Sequence, residues 1–191
     1  MPAFIRKSNV KDMLEEILNL PELKTQIQQG IRNQFENLKI ELLQNFDEHP
    51  VTQEVANPSS ENVSNTLGGY GNLYGFLGIP EGSNPVGAVR DVLERQVKMK
   101  GRITINKRLG VVTFTFTVPD LKDFSSAAPL EWDTKNWVEG MERGLSGFQY
   151  FMNVKKGRSG QGIQVRAGIR GGQFKNRKYM SQLLNDFRQS F

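Results

Sequence analysis

Arg102-Ile-Thr-Ile-Asn-Lys-Arg-Leu-Gly-Val-Val-Thr-Phe-Thr-Phe-Thr-Val118 decides the fold. Its first seven residues alternate apolar and polar, Leu109-Gly110 makes a turn, and the alternation resumes from Val111. Side chains of a strand point to opposite faces in turn. Val112, Phe114, Phe116 and Val118 therefore share one face, and Thr113, Thr115 and Thr117 the other. This predicts a β-hairpin with one buried face, closed by Pro119.

The flanks of the hairpin are helical in pattern. Upstream, Pro85 opens a short helix to about Val97 with Val89, Val92, Leu93 and Val97 inward. Downstream, Asp133 or Thr134 is a candidate cap for a helix through Arg143 that presents Trp137, Val138 and Met141. Two more strands are expected, Phe148–Lys155 and Ile163–Ile169, joined by Gly157-Arg-Ser-Gly-Gln-Gly162. The chain then ends in an amphipathic helix with Tyr179, Met180, Leu183, Leu184, Phe187 and Phe191 on one stripe.

At the other end, residues 1–20 read as an arm with a short helix capped by Ser8, and residues 21–55 as a long helix. Leu23, Ile27, Ile31, Phe35, Leu38, Leu42 and Phe46 recur every three or four positions, a stripe that must face something. Pro21 suits a first helical position, where a missing N–H costs nothing. Gly30 costs about 1 kcal/mol relative to alanine, which leaves room for a bend or a close contact. Pro50 ends or distorts the helix, because the residue before proline is pushed out of helical angles.

Residues 56–87 hold seven glycines and three prolines, which rules out a continuous helix or a central strand. They are nevertheless too apolar for a linker, and long loops of this kind dock on a neighbour or on the body of the fold. Leu67, Tyr70, Leu73, Tyr74, Phe76, Leu77 and Ile79 are the candidate subunit-interface residues. With residues 88–191 supplying helix, sheet and closing helix, the expected fold is a single α+β domain. Its four-stranded, largely antiparallel sheet would be packed by the long N-terminal helix and the C-terminal helix.

The net charge of +5 is divided unevenly. Residues 1–97 carry eight Lys or Arg against thirteen Asp or Glu, whereas Arg143 to Asn185 carry nine basic residues and no acidic one. A field of one sign over that length suits a polyanion or the acidic face of another subunit. Lys155, Lys156, Arg158, Arg170, Lys175, Arg177 and Lys178 are the candidate basic residues for a DNA path or an acidic partner. No apolar run reaches the 18 or so residues of a membrane span, and the N-terminus has no signal-type apolar region. The expectation is a cytoplasmically made protein without membrane association.

Chemistry is sparse. The chain has no cysteine, which excludes disulfides and thiol catalysis, and one histidine, His49, beside Pro50 at a helix end. A histidine there reads as a cap or a packed side chain. Glu15-Glu16 and Asp47-Glu48 are adjacent on helices and diverge rather than converge on a metal. Gly68-Gly-Tyr-Gly-Asn-Leu-Tyr-Gly75 lacks the Lys-Ser or Lys-Thr of a phosphate loop and the spacing of a dinucleotide fingerprint. The reading is a non-enzyme with no catalytic, cofactor or metal residues.

Leu42-Leu-Gln-Asn-Phe-Asp-Glu-His-Pro-Val-Thr-Gln-Glu-Val55 leads into Asn65-Thr-Leu-Gly-Gly-Tyr-Gly-Asn-Leu-Tyr-Gly-Phe-Leu-Gly78. With Gly157-Arg-Ser-Gly-Gln-Gly-Ile-Gln-Val165 and Ile169-Arg-Gly-Gly172, these stretches resemble small virion proteins of tailed bacteriophages, of the neck and tail-completion type. The resemblance implies a homo-oligomeric ring at the head–tail junction, assembled in the host cytoplasm, with portal and tail proteins as neighbours and duplex DNA passing through. Asn65-Thr-Leu-Gly stands where tail-completion proteins commonly carry proline and Asp-Thr-Gly, so neck, tail terminator and tail completion all stay open. The alternative is a free-standing basic protein that binds nucleic acid.

Overall fold

The computed structural model describes residues 20–58, 63–67, 72–80, 82–106, 111–130, 136–143 and 177–191. The expected arm helix from Ser8, the Leu109-Gly110 turn, the strands Phe148–Lys155 and Ile163–Ile169 and the loop between them lie outside the described residues. What is described is an α+β fold: a long N-terminal helix, a two-stranded antiparallel sheet and a C-terminal helix.

Helix α1 spans Pro21–Glu48, 28 residues without a break at Gly30. A side chain at Gly30 would meet nothing within 4 Å, so no close contact explains that glycine. The region 21–55 is two helices rather than one. His49 is extended at φ −64° and ψ 133°, as its place before proline requires, and α2 (Pro50–Ala56) starts afresh. The His49 N–H still bonds the Phe46 carbonyl at 3.3 Å, while its Nδ1 accepts from Val51 N–H at 3.2 Å. His49 is thus the helix cap that its sequence position implies.

Three short helices build the middle of the fold. In α3 (Leu73–Leu77), Asn72 Oδ1 accepts from Gly75 N–H at 2.8 Å, and Gly78 ends the helix in the left-handed region at φ 66°. In α4 (Pro85–Gln96), Asn84 caps Gly87 N–H at 2.8 Å, and Val89, Val92, Leu93 and Val97 are all buried. In α5 (Trp137–Arg143), Asn136 Oδ1 accepts from Glu139 N–H at 2.8 Å, so Asn136 serves this helix directly; Asp133 and Thr134 lie outside the described residues.

Strands β1 (Lys98–Asn106) and β2 (Val111–Thr117) pair antiparallel, with Lys98 opposite Thr117 and Ile105 opposite Val112. The register breaks between Lys100 and Thr104, where Gly101 takes φ +79°. Three residues of β1 there face one of β2, and a surplus of two keeps the alternation in phase. Met99, Ile103 and Ile105 consequently stay turned inward, while Lys98, Lys100, Arg102 and Thr104 stay exposed.

Helix α6 (Met180–Gln189) closes the core, burying Met180, Leu184 and Phe187 against the far half of α1. The Phe35 ring lies 6.0 Å from Phe116 and 5.8 Å from Phe187, edge-on to the latter, which joins helix, sheet and closing helix in one aromatic cluster. Ser181 N–H donates to Glu142 Oε1 at 2.5 Å and ties α6 to α5.

Candidate functional site

The glycine-rich segment is held by one carboxylate. Glu54 of α2 is completely buried; its Oε2 accepts from Ser64 N–H at 2.9 Å and its Oε1 from Leu73 N–H at 2.8 Å. A buried carboxylate is tolerated when backbone donors replace its water. Clamped to α2 at both places, the segment turns its side chains inward. Leu67, Leu73, Tyr74 and Leu77 are buried in the chain's own core, and Phe76 and Ile79 pack half-buried against it. The Tyr74 hydroxyl donates to the Pro80 carbonyl at 2.7 Å. Leu67, Leu73, Tyr74 and Leu77 are therefore covered by the chain's own body and offer no surface to a neighbour, while Phe76 and Ile79 keep part of theirs exposed. Tyr70 lies outside the described residues.

At the α1–α2 junction stands the most concentrated group of polar and aromatic side chains. Tyr179 is wholly buried, its hydroxyl bonded to that of Thr52 and its ring 4.6 Å from His49, 6.2 Å from Phe46 and 6.3 Å from Trp137. Burial pushes the phenol well above the ordinary tyrosine range; the Thr52 bond opposes this and the Asp47 charge adds to it. Burial likewise holds His49 below its ordinary value, helped by the positive Arg177. A tyrosine that keeps its proton and a histidine whose Nδ1 is engaged as a cap form an anchor for the C-terminal segment.

Of the basic residues singled out by charge, Lys155, Lys156, Arg158, Arg170 and Lys175 lie outside the described residues. Arg177 and Lys178 are exposed, side by side ahead of Tyr179, and Arg177 N–H donates to the Met141 carbonyl at 3.0 Å.

A different basic surface escaped that reading. An open cleft of about 740 Å³ runs between the first half of α1 and β1, lined by Lys24, Arg32 and Arg102 among others. Lys24, Gln28 and Arg32 follow at spacing four along one helix face, and Lys98, Lys100 and Arg102 alternate along β1. Both patterns stand in the sequence; only the pairing of Gln28 with β1, Nε2 to the Ile103 carbonyl at 3.1 Å, brings them together. A second, mostly apolar cleft of about 360 Å³ lies between Leu77–Pro85 and Ser126–Leu130 and reaches Trp137. The indole N–H of Trp137 is buried without a hydrogen-bond partner among the described residues.

The stripe of α1 also outruns the core. Phe35, Leu42, Leu43 and Phe46 are buried, but Leu23, Ile27 and Ile31 are only half covered, Leu20 is 55% exposed and Ile40 54% exposed. Among the described residues no helix is long and apolar enough to cross a membrane, and no group of three or more acidic or histidine side chains is placed to hold a metal ion. No family model, no characterised protein and no solved structure matches this chain.

Proposed function

We propose that this chain is a structural virion protein of a tailed bacteriophage, one subunit of a ring at the head–tail junction that joins the portal side to the tail and lets DNA pass. The carrying observation is the stripe of α1, whose first half, Leu23, Ile27 and Ile31 with exposed Leu20 before it, is less covered among the described residues than its second half. Surface of that kind on a rigid helix suits a heterologous contact repeated around a ring, one copy's helix against a different face of the next. The resemblance of residues 42–55 and 65–78 to neck and tail-completion proteins implies a long N-terminal helix, an irregular loop, a helix, an antiparallel sheet and a C-terminal helix, and the described elements run in a compatible order. In this reading the lateral contact belongs to the first turns of α1 and not to Leu67–Ile79.

The test is light scattering and negative-stain imaging of the full chain, alone and mixed with portal or tail-tube protein. Rings or particle-bound subunits are expected, and Ile27→Glu with Ile31→Glu should abolish them while leaving the circular dichroism spectrum unchanged. A strict monomer that joins no particle overturns the reading.

A further inference from the structure

We infer that the cleft between α1 and β1 is a binding site for the phosphate backbone of nucleic acid. Lys24 and Arg32 stand one turn before and one turn after Gln28, whose bond to the Ile103 carbonyl fixes the helix against the strand. Arg102 faces them from β1, beside the register break at Gly101. Thr25 and Thr104 add hydroxyls to the lining, and no Asp or Glu among the described residues contributes to it. Lys24, Arg32 and Arg102 make no ion pair among the described residues, and neither do Lys98 and Lys100 further along the same strand.

The shape of this charge selects the ligand. Lys24 to Arg32 spans eight residues, about 12 Å along the helix, whereas phosphates follow one another at about 3.4 Å of axial rise on a duplex strand. The cations are thus spread over several phosphates and do not converge on one small anion. An acidic protein partner would be expected to bring apolar and aromatic contacts to the centre of its footprint, with charge at the rim. Here Lys24, Arg32 and Arg102 with Thr25, Gln28 and Thr104 make up most of the lining, Pro21, Ile103 and Ile105 are its apolar remainder, and no aromatic ring contributes. That is the make-up of a nucleic-acid interface, more polar and more positive than a protein–protein one. Without rings to stack on, the cleft reads neither base identity nor single-strandedness. Binding should be independent of sequence and carried by phosphates. It does not depend on the assembly role proposed above, because a single copy already presents the cleft.

The experiment is fluorescence anisotropy of the full chain with a labelled 20-base-pair duplex of arbitrary sequence, across a salt series. The triple variant Lys24→Gln, Arg32→Gln, Arg102→Gln should weaken binding by tenfold or more, and reduce the slope of log affinity against log salt by about three, one per cation lost. Lys155→Ala with Lys156→Ala and Arg158→Ala should leave the contribution of the cleft in place, so the two triples add in the combined variant. Should the cleft triple lose its fold by circular dichroism, Arg102→Gln alone decides, with an expected slope change of about one. An unchanged slope in the cleft variant overturns the proposal, as does polyglutamate competing as well as unlabelled duplex, which would assign the cleft to an acidic protein.

Discussion

From Phe35 onward the apolar stripe of α1 is sunk in the core through Phe35, Leu42 and Phe46; before it, the same spacing continues through Leu23, Ile27 and Ile31, which the described residues only half bury. The far half is enclosed by α2, α6 and β2, with Phe35 and Phe46 both in ring contact with residues near the C-terminus. The near half is tied to β1 by the Gln28–Ile103 bond, with a basic cleft on one flank and an apolar stripe on the next. Periodicity tells how a helix is striped but not how much of the stripe its own chain will cover. Coverage is decided by elements distant in sequence. The uncovered remainder is where a partner has something to gain.

The largest test of this contrast is truncation at matched positions. Phe46→Ala opens a cavity in a close-packed interior and should cost about 3–5 kcal/mol, a large share of the 5–15 kcal/mol that holds a typical domain together. Ile27→Ala, on the half-covered stretch, should cost about 1 kcal/mol or less. Urea unfolding midpoints of the two variants measure both, and equal losses would erase the distinction between the halves.

Next comes the clamp that encloses the far half from the α2 side. Glu54→Gln keeps the shape of the side chain but replaces one carboxylate acceptor with an amide that cannot accept from a backbone N–H. Charge-assisted bonds of this kind are worth about 1.5–3 kcal/mol, so a loss near 2 kcal/mol is expected. Amide exchange should quicken at Ser64 and Leu73 and stay unchanged at the start of α1. Gly30→Ala works in the opposite direction on the near half. The site has open space and ordinary helical geometry, so alanine should raise stability by up to about 1 kcal/mol. A loss there would mean that something packs on Gly30.

The elements whose pattern is local were legible in the sequence. The hairpin alternation, with its inward face half-buried, the inward set of α4, the Trp137, Val138 and Met141 face of α5 and the Met180, Leu184 and Phe187 stripe of α6 are where spacing puts them, whereas Phe191 lies past the end of α6 and is exposed. The fate of the 63–80 stretch was not legible. Its apolar content announced docking, but the choice between a neighbour and its own body rests on Glu54, a residue that the sequence marks only as one position near the end of the 21–55 helix. Long-range hydrogen bonds to a buried carboxylate leave no local signature. The cation cleft was hidden for a related reason. The acidic balance of residues 1–97 masks Lys24 and Arg32; Lys98, Lys100 and Arg102 fall just beyond that window, and a net charge counted along the chain cannot register a patch assembled across it.

The smallest expected effect is a pH dependence confined to the anchored end of α1. Unfolded, His49 titrates at its ordinary value of 6.5; in the fold, burial and the nearby Arg177 hold it lower. Above that ordinary value both states are neutral and the stability of the anchored end is fully present. As pH falls through 6.5, the unfolded chain takes up a proton that the folded chain still refuses, so stability declines until the folded value is passed, and then levels off. The cap geometry points the same way, since a protonated Nδ1 cannot accept from Val51 N–H. His49→Asn retains a capping acceptor without a titration. Unfolding midpoints from pH 7.5 to 5 should therefore separate wild type from this variant only below 6.5, with wild type losing the more. Exchange should rise at Phe46–Val51 while Leu23–Ile31 stays flat. A uniform rise along α1 would mean that its two halves unfold as one unit, and the division between an anchored and an available half would not hold.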